Sequence, residues 1–442
     1  MTARGKSARS SHWLNNRWWK LAIGEWIAIT LAFLALVLIF CLFFLRRHTL
    51  EYHVGHTFSV SDPEFFGSAH ALSDPIPIPG NKIELLQNGE EFFPAMLEAI
   101  RSAKRTVNFE AYIVYSDVIG RQFCDALSER ARAGLEVRVL LDGIGSGWSL
   151  NNSDVRKMKE AGCKFSYYHP THSLRVDRSN RRSHRRILVI DGKLAFTGAV
   201  GFAEHWSGHA QDKDHWRDVH ARIEGPLVAR LQAAFQEHWI KTFGEALSGA
   251  DQFPSLSPAG DLKAQVVLSR SFSMAPIPLL EAVAFAAAER RIWITNSYCT
   301  PTDDQVDVLV KAVQRHVDVR LLLPGKNNDQ PLTKSAGRAA YGRMLEGGVK
   351  IFEYEPTMIH EKTFVVDGMF SMFGSSNLDA RSSEINEELD VTVYDRGFGR
   401  QMEAVFENDL RQSREYTFAE FKQRPWWERT TEWLMLPFRS QL

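Results

Sequence analysis

The sequence predicts an α/β protein made of two duplicated lobes, with a single membrane-spanning helix ahead of them. Three observations carry this. Segments with apolar residues at helical spacing alternate with short apolar, strand-like runs, the pattern of sheets covered by helices on both faces. The order of those segments occurs twice, at a period of about 150 residues, long enough for each copy to be a domain. One short motif also recurs in frame: "SHRRILVIDGKLAFTGAVG" from Ser183 to Gly201 and "IHEKTFVVDGMFSMFGSSN" from Ile359 to Asn377.

Residues 1–47 read as a tail and anchor. The run "WIAITLAFLALVLIFCLFFL", Trp26 to Leu45, carries no charge. Its twenty residues suffice to cross a hydrocarbon core of about 30 Å as a helix. It is too long for the apolar region of a cleaved signal, no small-residue cleavage site follows, and Arg46 and Arg47 make an interfacial stop. Arg4, Lys6, Arg9, Arg17 and Lys20 precede it, so the positive-inside rule puts the N-terminus in the cytoplasm and the lobes outside.

Residues 48–80 read as a connector ending in "DPIPIPG", where proline favours extended backbone. The first lobe, 81–246, opens with the helix "FFPAMLEAIRSAKR" and the strand "TVNFEAYIVY". It continues with "FCDALSERARAG" (helix), "LEVRVLLDG" (strand), "SDVRKMKEAG" (helix) and "CKFSYY" (strand), then "RILVIDGKLAFTG", two strands about an Asp-Gly turn. A linker, 247–262, holds "LSGADQFPSLSPAGD" across its start. The second lobe, 263–412, repeats the order: "IPLLEAVAFAAAER", "RIWITNSY", "VDVLVKAVQR", "VDVRLLLPG", "RAAYGRMLEGG", "VKIFEYEP", "KTFVVDGMFSMFG". In the tail, 413–442, Trp426, Trp427, Trp433, Leu434 and Leu436 stand among charges, a composition suited either to a membrane interface or to a helix packed on the protein's own core.

Lys plus Arg number 53 and Asp plus Glu 53, so no global field marks a nucleic-acid binder. The four cysteines, Cys41, Cys124, Cys163 and Cys299, show no zinc-like spacing and read as packed thiols. No EF-hand, HExxH or Walker pattern is present, so the reading calls for no metal and no cofactor.

The repeated motif suits phosphoryl chemistry. Histidine attacks phosphorus or moves a proton near neutral pH, and a fixed cation neutralises phosphate oxygens where charge develops. Strand alternation puts His360 and Lys362 on one face, and likewise His184 and Arg186. Two histidines are what a double displacement needs, one as nucleophile and one as acid, then base. Asp191 and Asp367 open Asp-Gly turns, which gives them a structural role first. The second copy adds Ser375 and Asn377; the first has Ala199 and Gly201 there.

These residues resemble the phospholipase D superfamily, whose signature HxKxxxxDxxxxxxGSxN occurs once in each of two lobes. The likeness spans residues 81 to 412, and His360, Lys362, Asp367, Gly374, Ser375 and Asn377 fit it fully. "FEAYIV", "RAGLEVRVLLDGIGS", "HRRILVIDGKLAFTG", "WRDVHARIEGP" and "SSNLDARSSEINEE" look like bacterial cardiolipin synthases. The resemblance implies α/β/α lobes around one shared site, a phosphohistidine intermediate with His184 as nucleophile, and the joining of two phosphatidylglycerols into cardiolipin with release of glycerol. It implies that Glu388 orients the motif histidine and that Asp218 takes the corresponding place in the first lobe.

The run Thr171–Arg186 holds six arginines and reads either as a solvated loop or as a collar for anionic headgroups, with Arg181, Arg182, Arg185 and, from the strand before, Glu110 as substrate-binding candidates. Partners expected are phosphatidylglycerol, anionic lipids and the bacterial inner membrane; the anchor favours lipid over nucleic acid, and oligomeric state is left open. Two other readings remain open: a phosphodiesterase that hydrolyses lipid or nucleic acid, and a non-catalytic anionic-lipid binder whose first motif has decayed through Arg186, Ala199 and Gly201. If the first half-site keeps the family's geometry, Arg186→Lys should leave activity equal or raise it.

Overall fold

The structure, a computed structural model, describes residues 25–37, 58–62, 65, 76–170, 180–270, 276–435 and 441. Residues 25–37 are helical with exposed apolar side chains; the rest of the Trp26–Leu45 run lies outside the described residues. No described helix is long and apolar enough to cross a membrane. Residues 51–442 form a separate compact unit.

In that unit the first lobe runs β1 (Ile78–Gln87), α1 (Asn88–Ser102), β2 (Thr106–Ala111), α2 (Val118–Arg132), β3 (Glu136–Asp142), α3 (Asn152–Glu160), β4 (Lys164–Tyr168), β5 (Ile187–Ile190), β6 (Leu194–Gly198), β7 (Val219–Glu224) and α4 (Val228–Phe243). The second runs β8 (Leu262–Leu268), α5 (Pro276–Ala286), β9 (Arg291–Asn296), α6 (Asp303–Gln314), β10 (Asp318–Pro324), α7 (Pro331–Glu346), β11 (Lys350–Tyr354), β12 (Lys362–Val366), β13 (Phe370–Gly374), α8 (Ala380–Glu384), β14 (Leu389–Tyr394) and α9 (Arg396–Leu410). The chain then adds β15 (Ser413–Tyr416), α10 (Phe418–Gln423) and α11 (Trp426–Met435).

The strands make one sheet in the order β15-β11-β10-β9-β12-β13-β14-β8-β1-β7-β6-β5-β2-β3-β4. β2, β3 and β4 run parallel, as do β9, β10 and β11, because each of those connections crosses over through a helix. The two halves join where β1 and β8 pair antiparallel, Ile78 with Ala264 and Asn81 with Leu262. Part of the presumed connector is therefore sheet. Val60 and Phe65 are also buried in the second lobe's core, Phe65 edge-on to Phe370 at 5.2 Å.

Alternation along the strands sorts the core into three layers. Leu188 and Ile190 join α1 and α2 in the first lobe's outer core, while Ile187 and Val189 turn to a central core with Phe235 and Trp239 of α4. From the other lobe that central core receives Val365, Val391 and, from α9, Met402 and Phe406. The lobes thus share an interior, and the chemistry lies at that shared boundary.

Asp191 and Asp367 sit at the far ends of β5 and β12, both with positive φ (51° and 54°). Asp191 accepts the amide hydrogens of Lys104, Arg105 and Thr106 at 2.7–2.8 Å. Asp367 does the same for Glu289, Arg290 and Arg291 at 2.8–2.9 Å. Each staples its hairpin to the start of the neighbouring strand, remote from the histidine end, so both are structural residues. Cys124, Cys163 and Cys299 are buried free thiols, and Cys41 lies outside the described residues.

Candidate active site

Both motif histidines sit just before their strands, not within the regular ladder. The other lobe holds them: His184 N–H donates to Glu387 O at 2.9 Å, and His360 N–H donates to Arg217 O at 2.7 Å. Ser183 bridges Glu387, and Ile359 bridges Arg217, in the same pattern. The residues that follow Glu387 and Arg217 are Glu388 and Asp218, so the backbone exchange delivers each carboxylate to the opposite lobe's histidine.

His184 Nδ1 lies 2.9 Å from Glu388 Oε2, and His360 Nδ1 lies 2.8 Å from Asp218 Oδ2. A carboxylate there fixes the tautomer with Nε2 as the free lone pair and stabilises an imidazolium. Each Nε2 is capped by its own motif cation: Arg186 Nη2 at 3.1 Å from His184 and Lys362 Nζ at 3.0 Å from His360. An incoming phosphodiester gives those cations oxygens to bind instead and releases the lone pairs. All six side chains are buried.

The supports differ between the halves. Glu388 also accepts from Ser375 Oγ (2.6 Å), Ser382 Oγ (2.8 Å) and Asn386 Nδ2 (3.1 Å). Ser375 therefore serves the first lobe's histidine through Glu388. Asn377 is buried, its amide N–H on Ser382 Oγ and its side-chain oxygen without a partner. Asp218 receives the Val219 N–H (2.8 Å) and the Trp206 indole N–H (3.0 Å). Tyr112 packs edge-on to His184 at 5.0 Å and lies under Arg186. Tyr298, Trp206 and Trp216 surround His360 at 5.8, 5.1 and 5.6 Å. Lys362 also donates to Ser297 Oγ at 2.7 Å.

Electrostatics follow from burial and these partners. Burial and then Arg186 pull the His184 pKa down to about 4, against the opposing pull of Glu388. Burial, then Lys362, Arg186, His184 and His205, hold His360 well below the ordinary value. Burial brings Lys362 down to about 7 although Asp218 opposes it. Burial alone would raise Glu388, but His184, Ser375 and Arg186 hold it below the usual range. Asp218 stays raised by burial, with Lys362, the Val219 amide and Trp206 only partly offsetting it.

The arginine collar needs revision. Arg185 is fully buried and faces away from His184 and Arg186, donating to Ala234 O (3.2 Å) and Ser269 O (3.5 Å) beside Glu237. Glu110 is buried too, bonded to His238 Nδ1 (2.6 Å) and Ser183 Oγ (2.6 Å). His238 reaches Glu387 with its other nitrogen at 2.6 Å. Both residues belong to the packed lobe junction beneath the site, not to a solvent-facing collar. At the pseudo-equivalent junction Arg217 pairs with Asp409 (2.9 Å) and Glu361 (3.1 Å). Arg181 and Arg182 are half-buried, and Arg182 acts on Tyr112 and Asp142. Residues 171–179, with Arg175 and Arg178, lie outside the described residues.

Sequence reasoning missed Tyr112, Trp206, Trp216, Ser297 and Tyr298. The recurrence of Tyr at the end of "FEAY" and "TNSY" was a usable signal; Trp206 and Trp216 have no counterpart in the second copy.

Comparison with known proteins identifies the family. The family model described as "Cardiolipin synthase, PLD-like domain" matches residues 96–239 and 283–410, one copy per lobe. Cardiolipin synthase A of Pseudomonas syringae is 35% identical over 349 residues, 77% of this chain and 71% of that protein. A probable cardiolipin synthase of Bacillus subtilis is 32% identical over 354 residues, 80% and 70% of the two chains. Among solved structures, phosphatidylserine synthase of Haemophilus influenzae shares the fold with a TM-score of 0.65 at 13% identity, over 86% of this chain and 98% of that one. The chain belongs to the cardiolipin synthase family of phospholipase D-like proteins.

Proposed function

We propose that the protein joins two phosphatidylglycerols into cardiolipin and glycerol by double displacement at phosphorus. The observation that carries the mechanism is the crossed pairing of His184 with Glu388 and of His360 with Asp218. His184 is the nucleophile, because its carboxylate is the one firmly held as an anion. Its Nε2 attacks the phosphorus of the first lipid while Arg186 and Lys362 move onto the phosphate oxygens. The bond from phosphorus to the head-group glycerol oxygen breaks, and His360, protonated once the anionic phosphate is bound, gives that oxygen its proton. The terminal glycerol hydroxyl of a second phosphatidylglycerol then loses its proton to His360 and attacks. The N–P bond breaks and His184 is restored. Transfer in place of hydrolysis requires exclusion of water at the second step, and the Tyr112, Trp206, Trp216 and Tyr298 rings suit that.

The membrane reading belongs to the same proposal: Trp26 to Leu45 spans the inner membrane once, with the lobes on the outer face. α11 turns Glu428 and Glu432 inward to Arg338 (3.0 Å) and Arg424 (2.8 Å), and leaves Trp426, Trp427, Trp433 and Leu434 exposed. Ions inward and indoles outward suit a helix lying at a lipid interface.

The test is full-length protein with phosphatidylglycerol as the lone lipid substrate, products separated by mass. Cardiolipin and glycerol are expected in equal amounts. Phosphatidic acid in their place would make the protein a hydrolase. Trapping during turnover of the wild-type protein should place a phosphatidyl adduct on His184; an adduct on neither histidine in an active preparation would sink the mechanism.

A further inference from the structure

The first motif lacks the two polar side chains of the second: Ala199 stands at the place of Ser375 and Gly201 at the place of Asn377. In the second lobe Ser375 Oγ holds Glu388, and Glu388 holds a histidine. Ala199 can make no such bond, yet Asp218 is not left without a side-chain donor. Trp206, in a short 3-10 turn (Glu204–Trp206), brings its indole N–H to Asp218 Oδ2 at 3.0 Å, the same oxygen that takes His360 Nδ1–H at 2.8 Å. The indole is 4% exposed. It needs the space at residue 201. A Cβ there would lie 2.6 Å from Trp206 Cη2 and Cζ3 and 2.7 Å from Ile113 Cγ2, so asparagine and this indole exclude one another.

We propose that Trp206, admitted by Gly201, is a positioning residue that replaces the motif serine of the first half-site, holding Asp218 so that Asp218 holds His360. The loss of serine and asparagine from the first motif is then a substitution of one donor for another and not a decayed site. The indole is a donor only, so it cannot take a proton from Asp218 or compete for the His360 N–H. Its ring also packs 5.1 Å from His360 and 4.6 Å from Trp216, drying the histidine it helps to orient. Around Asp218 the charged and titratable groups are His360, Lys362 and Glu361 from the second lobe, and His220 and Arg186 from its own.

The inference rests on His360 as the acid and base of the proposed reaction, so His360→Ala is assayed first. Full activity there would reject the reaction scheme and the inference with it. If His360→Ala is inactive, Trp206→Phe tests the inference alone, since it keeps an aromatic ring and removes the N–H. Expected is a kcat lower by about 10-fold or more, from a lost charge-assisted hydrogen bond, with KM for phosphatidylglycerol within about twofold. Without the N–H, Asp218 keeps its proton to higher pH and fails as an acceptor, so the acid limb of the rate profile should move to higher pH. Adding Ala199→Ser to Trp206→Phe should recover part of kcat and move the limb back. Should Trp206→Phe not accumulate as folded protein, Gly201→Ala displaces the indole without deleting it and should reproduce the kcat loss and the limb shift. Wild-type kcat and an unmoved acid limb in whichever folded variant is measured would overturn the proposal.

Discussion

The two half-sites perform the same geometric task with different parts. Each has a histidine, a cation on its Nε2 and a carboxylate from the opposite lobe on its Nδ1. Around Glu388 the support is a web of hydroxyls and an amide from Ser375, Ser382 and Asn386. Around Asp218 it is one indole, one backbone amide and a box of aromatic rings. The polar web favours a permanently charged carboxylate, which would stabilise the imidazolium-like phosphohistidine of the proposed reaction. The aromatic box favours a carboxylate and histidine that trade protons. Duplication supplied two equal frames, and the division of labour lies in what surrounds them.

The largest test of that contrast is removal of each carboxylate's charge. Glu388→Gln and Asp218→Asn should each lower the rate of cardiolipin formation by roughly 100-fold or more, since each leaves a histidine with the wrong tautomer. They should differ in kind. Glu388→Gln should act chiefly on formation of the phosphatidyl adduct, while Asp218→Asn, which impairs His360 as acid and as base, should slow both its formation and its turnover. Rapid-quench trapping of labelled lipid reads the difference, and equal adduct levels would dissolve the proposed split of roles.

A smaller effect is expected at the cations. Arg186 lies over the Tyr112 ring and Lys362 over the Tyr298 ring, at 5.5 and 5.3 Å, so both cations have an aromatic face. Lys362 has in addition the Ser297 hydroxyl at 2.7 Å, whereas Arg186 reaches the backbone oxygen and Nε2 of His184 with its two terminal nitrogens. A lysine at 186 would give up one of those two donors with no serine hydroxyl to fix it. Arg186→Lys should lower the initial rate by about tenfold, the scale of a mispositioned phosphate clamp. A rate equal to or above wild type would show that the compact ammonium serves this half-site as well as the guanidinium does.

The smallest expected effect is a displacement along the pH axis. With its pKa near 7, Lys362 loses its charge as pH rises through neutrality, while Arg186 keeps its own. The profile of kcat/KM, which reports the free enzyme, should therefore fall on the alkaline side from about pH 7. Lys362→Arg should move that limb upward in pH at a reduced plateau. An unmoved limb would assign it to another group.

Much of this was readable in the sequence, for reasons that also mark where reading stops. The duplicated lobes, the helix–strand order and the two histidines follow from period and frame. The crossed pairing does not, because alignment matches Glu388 to Asp218 without saying which histidine either one meets; that depends on backbone exchange between segments distant in the chain. Arg185 was placed in a collar because it sits in a run of arginines, yet it lies between His184 and Arg186, and alternation alone points it the other way. Glu110 was misplaced because its partner, His238, lies on a helix far along the chain. Trp206 was invisible because a donor outside the motif frame leaves no pattern to count. The joint between β1 and β8 was hidden in what composition marks as linker.

Phe65 carries a consequence for how the protein is made. It precedes the first lobe in the chain, yet its ring is buried against Phe370 and Tyr394 of the second. During synthesis it leaves the ribosome among the earliest residues of this unit and waits for a cavity that is translated near the end. Phe65 has no core to enter until β13 and β14 exist. In nascent chains stalled after the first lobe, a cysteine put in place of Phe65 should react with a thiol reagent, and in full-length chains it should be protected. The final seam of the molecule thus closes on a residue made at its beginning.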